Sequence, residues 1–107
     1  EEIVFQILNI RDLTKRKDLH EVRARIIGTY RKTLDNIENL SGCAICLHNN
    51  QIGIIGSVEC IDDAIISLKS LVQGSKQGNV YARLERERKK KRLAPGEMIK
   101  NEFKKKA

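Results

Sequence analysis

Apolar residues recur along this chain in two rhythms, one nearly continuous and one spaced by three and four. The first opens it: Ile3-Val4-Phe5-Gln6-Ile7-Leu8 is β-branched and aromatic and short, which predicts a strand buried on at least one face. Residues 9–17 are polar, basic and turn-like, and predict a crossing from sheet to helix. Leu19, Val22 and Ile26 then fall at helical spacing, with Asp18 as cap and Glu21 completing a capping box. Gly28 stops that helix. Arg31 or Thr33 begins the next, whose apolar face is Leu34, Ile37 and Leu40, and Ser41-Gly42 ends it, since glycine accepts the left-handed conformation after a helix.

Residues 43–47 and 51–55 read as two strands, with His48-Asn49-Asn50 as the turn between them, because asparagine tolerates positive backbone dihedrals. Gly56-Ser57 ends the second of these, and Ser57 or Asp62 can cap a third helix. Its residues Ile61, Ala64, Ile65, Leu68, Leu71 and Val72 make the widest apolar stripe in the chain. Residues 73–79, with two glycines, break it. Val80, Tyr81 and Leu84 supply one apolar turn that docks back on the domain, and Met98, Ile99 and Phe103 suggest a last short helix. The order strand, helix, turn, helix, strand, strand, helix implies an α+β fold in which a three-stranded antiparallel sheet packs against three helices.

The run over residues 26–42, IIGTYRKTLDNIENLSG, resembles the type I KH domain, whose usual run is I-I-G-x-x-G-x-x-I-x-x-I-x-x-x-T-G. The match puts Ile26, Ile27 and Gly28 at the end of the first helix and in the turn, Thr29 and Tyr30 at its variable positions, and Ser41-Gly42 where Thr-Gly is usual. Arg31 stands where the second glycine is expected. The stretch LVQGSKQGNVYARLE, residues 71–85, looks like the end of the KH domain in small-ribosomal-subunit assembly factors of the partner-of-NOB-one and KRR-motif group, archaeal relatives included.

That resemblance implies a KH domain over residues 3–85 and a basic helical extension over 86–107. It also implies a groove gripping about four unstacked nucleotides of single-stranded RNA. Gly28, Thr29, Tyr30, Arg31 and Lys32 would lie against the nucleic-acid backbone, with Ile27 beside them. Arg23 can reach phosphates entering the groove, and backbone groups near Ile45 and Leu47 would read bases. Glycine suits such a turn because backbone N–H groups can then approach phosphate oxygens closely. Arg31 gives up part of that approach, and either pairs with a phosphate or blocks the slot. The expected partner is small-subunit rRNA, together with a maturation endonuclease or ribosomal proteins. A degenerate KH domain serving as a protein-docking scaffold is the alternative.

Charge sharpens this picture. Residues 1–82 hold ten basic and ten acidic side chains, and residues 83–107 eleven and four, so the formal +7 belongs to the C-terminal part. Arg86, Arg88, Lys89, Lys90, Lys91 and Arg92 form a secondary basic surface there. Within the domain, residues 11–32 carry eight basic side chains against three acidic, next to the glycine turn. With four aromatic residues in 107, a surface built mainly on base stacking is poorly supplied.

Catalytic and metal chemistry find little support. Cys43 and Cys46 have C-x-x-C spacing, but residues three apart on a strand point to opposite faces, and no second cysteine pair completes a tetrahedral set. His20 and His48 form no acid–base arrangement, so neither an enzyme nor a cofactor is expected. Three cysteines give no disulfide framework, no apolar run approaches a membrane span, and no secretory leader is visible. The reading is an intracellular protein, cytoplasmic in an archaeon, nucleolar or nuclear and cytoplasmic in a eukaryote. A start at Glu1, almost directly in an apolar strand, reads as a fragment of a longer protein.

Overall fold

The structure, a computed structural model, describes residues 2–92, with side chains through residue 90. In chain order it contains β1 (Ile3–Asn9), α1 (Ile10–Leu13), α2 (Leu19–Ile27), a single 3-10 turn (Thr29–Arg31), α3 (Lys32–Ser41), β2 (Ala44–His48), β3 (Gln51–Ser57), α4 (Ile61–Val72) and α5 (Gln77–Arg92). The sheet is antiparallel in the order β1-β3-β2, so the central strand is the last in sequence. Ile52 and Ile54 of β3 are fully buried on its inner face, beside Ile45 of β2. Against them pack Val22 and Ile26 of α2, Leu34 and Ile37 of α3, and Ala64, Leu68 and Leu71 of α4. This is the expected α+β architecture with additional helical elements.

The caps explain where the helices begin. Asp18 Oδ1 accepts from Glu21 N–H at 3.2 Å and starts α2, as its spacing predicts. Gly42, at φ 75°, ends α3 in the left-handed conformation while its N–H reaches Glu38 O. The start of α4 differs from the expected one. Neither Ser57 nor Asp62 caps it; Cys60 stands at the cap without a side-chain bond, and Asp62 and Asp63 lie in the first turn, where a carboxylate suits the helix dipole.

Two elements depart from the sequence reading. The crossing after β1 holds a helical turn, α1, because Asn9 Oδ1 accepts from Arg11 N–H at 3.0 Å while Ile10 donates to Asn50 O at 2.8 Å. That pairing pins Ile10, which is wholly buried. The apolar turn at Val80, Tyr81 and Leu84 belongs to a sixteen-residue helix, α5, which packs on α3 and α4 and continues through residues 85 and 86. The segment containing Met98, Ile99 and Phe103 lies outside the described residues.

Arg25 fixes the approach to α5. Its Nη2 donates to Gly74 O at 3.0 Å and to Ser75 O, tying α2 to the connection between α4 and α5. Val80 and Leu84 then complete the core from the far side. Leu84→Ala should therefore lower unfolding free energy by about 2–5 kcal/mol, the usual range for a buried leucine. Truncation after Glu85 removes none of the buried core residues among those described and should leave a cooperative melt. Urea denaturation of both variants is the check; an L84A midpoint equal to wild type would show that α5 is not part of the domain.

Candidate nucleic-acid interface

The connection from α2 to α3 has a backbone that a side chain could not follow. Gly28 N–H closes α2 on Ala24 O at 2.8 Å, and the residue then turns to φ 76°, ψ 174°, a region populated essentially by glycine. A Cβ placed there would overlap the Thr33 hydroxyl and backbone nitrogen. Glycine is thus required twice over, for conformation and for the close approach of the buried Thr33 at the start of α3.

Past Thr29, two further residues of the turn are left-handed. Tyr30 sits at φ 54° and Arg31 at φ 62°, conformations uncommon for residues other than glycine. The shape that a second glycine would adopt freely is retained here with an arginine in it. What holds Arg31 is electrostatic: Nε donates to Asp35 at 2.9 Å and Nη2 to Glu38 Oε1 at 2.9 Å. The hydrogen bond to Asp35, then that to Glu38, raises the guanidinium pKa further above its usual value, so it stays charged throughout the accessible pH range.

Glu38 does a second job. Its Oε2 accepts from the Ile45 N–H at 2.9 Å, so one carboxylate bridges the turn and the outer edge of β2. Ile45 N–H therefore points away from β3, and by the alternation of an antiparallel ladder the backbone groups of Leu47 face the same open edge. No backbone partner for Leu47 occurs on that edge among the described residues.

Two recesses flank the turn. The first, about 360 Å³, is lined by His20, Arg23, Ala24 and Ile27 of α2, Leu47 of β2 and Asn49 of the hairpin loop. Across its end Arg23 Nη1 donates to Asn49 O at 3.4 Å. The second, about 460 Å³, lies toward α5 and is lined by Ala24, Gly28, Thr29, Lys32, Thr33, Asn36, Gln77 and Tyr81. A smaller basic recess gathers Arg11, Arg16 and Lys17 with Thr14 and Leu19 ahead of α2.

The residues expected to form one site are thus divided. Arg23, Ile27 and Leu47 come together in the first recess; Gly28, Thr29 and Lys32 line the second. Tyr30 projects from the turn tip, 98% exposed, and Arg31 is turned onto α3. The Ile45 side chain is buried in the core, which leaves its edge backbone. Arg86, Arg88, Lys89 and Lys90 are exposed on α5, whereas the side chains of Lys91 and Arg92 lie outside the described residues. Asp35 and Glu38 were missed, although their spacing of four and seven from Arg31 marks one helix face. Asn36, Gln77 and Tyr81 carry no such signal, because only the packing of α5 brings them to the turn.

Among the described residues no group of three or more His, Cys, Asp or Glu is placed to hold a metal ion, and no helix is long and apolar enough to cross a membrane. Cys43 is buried and Cys46 exposed, on opposite faces as strand alternation requires.

Comparison with known proteins gives a consistent set of likenesses. Residues 4–89 match the family model of the eukaryotic type KH-domain (KH-domain type I). A KH domain-containing protein of Methanocaldococcus jannaschii is 29% identical over 101 residues, covering 94% of this chain and 44% of its own. Among solved structures, a chain of the a/eIF2alpha-aDim2p-rRNA complex from Pyrococcus horikoshii OT3 superposes with a TM-score of 0.77 at 34% identity, over 82% of this chain and 48% of that one. Dim2p from the same organism gives 0.73 at 34% identity, over 78% and 49%. The chain therefore spans about half the length of these relatives.

Gly28→Ala should cost on the order of 1–3 kcal/mol, from the glycine-only dihedrals and the displaced Thr33. Paired denaturation curves with Gly42→Ala serve as the check, since nothing lies within 4 Å of a Cβ at Gly42. An equal or larger loss at Gly42 would show that the crowding against Thr33 is relieved at little cost.

Proposed function

We propose a role that starts from family membership: this chain belongs to the type I KH family, and it grips single-stranded rRNA during small-ribosomal-subunit assembly and pre-rRNA processing. Members of that family are RNA-binding modules without catalysis. The observation that carries the proposal is the apolar recess of Ala24, Ile27 and Leu47, closed by Arg23 and Asn49 and open beside the Gly28 turn. Unstacked bases fit such a slot, whereas the paired bases of a duplex do not present their faces to it. Leu47 offers a backbone donor and acceptor at the same edge, and Lys32 with the exposed cations of α5 attracts phosphates.

The rRNA assignment is supported by the similar Pyrococcus protein, whose structure was solved with rRNA and a/eIF2alpha. By analogy, a protein of the assembling particle accompanies the RNA here, whether a ribosomal protein, a translation-factor-like protein or the maturation endonuclease. Such work places the chain inside the cell. On this reading residues 3–85 are the gripping unit, and the cations from Arg86 onward add sequence-independent attraction.

Arg31 bears on the rival reading. With its guanidinium held by Asp35 and Glu38, the turn presents less free positive charge than the sequence suggests, which is the observation favouring a protein-docking scaffold. Fluorescence anisotropy with short single strands and a matched hairpin separates the two. RNA binding predicts dissociation constants on the order of micromolar for single strands and weaker binding to duplex. Lys32→Ala should reduce the salt slope by about one, since it removes one phosphate contact. The triple change Arg31→Ala, Asp35→Asn, Glu38→Gln removes the local network, one cation with two anions, and should leave affinity at wild type or slightly above it. A marked loss in a folded triple variant would make Arg31 a ligand after all. Absence of binding to any RNA would overturn the proposal in favour of docking.

A further inference from the structure

The larger of the two recesses beside the Gly28 turn is built from matching faces of two helices. Lys32 and Asn36 lie four apart on α3, and Gln77 and Tyr81 four apart on α5, so each pair occupies one helical face and both faces line the same space. Gly28 and Thr29 close the end toward the turn, and Ala24 borders this recess and the first alike. The turn is therefore a ridge with a cavity on either side. At about 460 Å³ this one falls within the roughly 300–1,000 Å³ of sites that hold small organic ligands.

The hydrogen-bonding capacity of its walls is unused. Asn36, Gln77 and Tyr81 are half-buried, yet none of their side chains bonds to another described residue, and Lys32 forms no ion pair among them. Partly enclosed amides and phenols ordinarily find partners within the fold. On the neighbouring face of α3 they do: Arg31, Asp35 and Glu38 satisfy one another.

The field in the recess is positive. No acidic residue lines it. Asp35, the acid in the first turn of α3, is held by Arg31 on the other face, and the first turn of α5 contains no acid. Lys32 and Gln77 are the first residues of their helices, so two positive helix ends meet at the recess against the single negative end of α2.

We propose that this recess receives one further unstacked nucleotide of the strand held in the first, its base against Tyr81 and the two amides and its phosphate on Lys32. The inference rests on the single-stranded RNA reading and extends it across the turn. An aromatic ring to stack on, amides to meet a base edge and a cation for the phosphate are the three needs of a nucleotide, gathered in one space. Because Ala24 borders both recesses, a strand that crosses the ridge passes directly from one into the other. Adenine is the base favoured, since its adjacent amino donor and ring-nitrogen acceptor match the acceptor and donor of a primary amide. Sequence selection then comes in part from α5, whose approach Arg25 fixes.

Side-chain amide resonances read this site, and the Leu47 backbone amide reads the first recess independently. The full 107-residue chain, isotopically labelled at nitrogen, is titrated with single-stranded uridine oligomers, each carrying one adenosine at a successive position. The oligomers are about eight nucleotides long, beyond the roughly four that a KH groove clamps. One adenosine position should raise affinity at least about fivefold over uridine alone, with shifts of the Asn36 and Gln77 side-chain amides. Asn36→Ala with Gln77→Ala should abolish that preference in a chain of unchanged circular dichroism. Should this pair fail to fold, Asn36→Asp with Gln77→Glu keeps the side-chain sizes, removes the donors and should abolish it equally. Shifts at Leu47 with still Asn36 and Gln77 amides would overturn the inference and leave the single-strand reading standing. Equal affinity for adenosine and uridine at every position, or a preference that survives the substitutions, would overturn it as well. No shift at either recess with any oligomer would overturn both.

Discussion

The arrangement of this molecule depends on a close approach between α2 and α3 that only a residue without a side chain permits. Gly28 lies against Thr33, and the chain reverses within a single 3-10 turn. From that reversal follow the placement of Val22 and Ile26 beside Leu34 and Ile37, and the exposure of Tyr30 at the tip. A wider turn would separate the two helices and open the core between them, because protein interiors tolerate little loss of packing. The same constraint keeps the backbone of the turn at the surface. A structural requirement and a binding opportunity are therefore met by one residue.

Beside it, Glu38 joins what the glycine brings near. Its carboxylate receives one hydrogen bond from Arg31 and one from the Ile45 N–H, so the turn, α3 and the sheet edge share a polar junction. Half of that junction is solvent-exposed, and its stabilising effect is correspondingly modest. Its influence on character is larger. It offsets one of the cations that the sequence places at the turn, and leaves Lys32, Arg23 and the α5 cations to set the field around the grooves.

The repeating elements were legible because burial on one face imposes a period. Leu34 and Ile37 three apart, or Ile52 and Ile54 two apart, announce a helix and a strand without any knowledge of their partners. Asp18 and Gly42 announced the ends of their helices for similarly local reasons. What could not be read depends on distant pairing. Ile10 is buried because Asn50 accepts its N–H, and Tyr81 borders the turn because α5 returns across α3. The candidate site was the less legible part. Position in a motif placed Arg31 and Lys32 at the turn, but the directions of their side chains were decided by Asp35, Glu38 and the α5 groove.

The strand order carries a consequence for how the chain reaches this state. Strands β2 and β3 are neighbours in sequence, joined by Asn49 and Asn50 with Asn49 at φ 53°, so their hairpin can form within microseconds of its synthesis. Strand β1 has no such neighbour. Its partner is β3, with Ile3 opposite Ser57, and closing that loop carries an entropic cost that rises with the intervening chain. The most apolar strand is therefore made first and paired last. During that interval Ile3, Phe5 and Ile7, together with Val4 and Leu8, are exposed on an unpaired segment, and such segments are where newly made chains aggregate or engage chaperones. With no charge inside β1, its protection on the ribosome falls to the flanking charges, Glu2 before it and Arg11 and Asp12 after it.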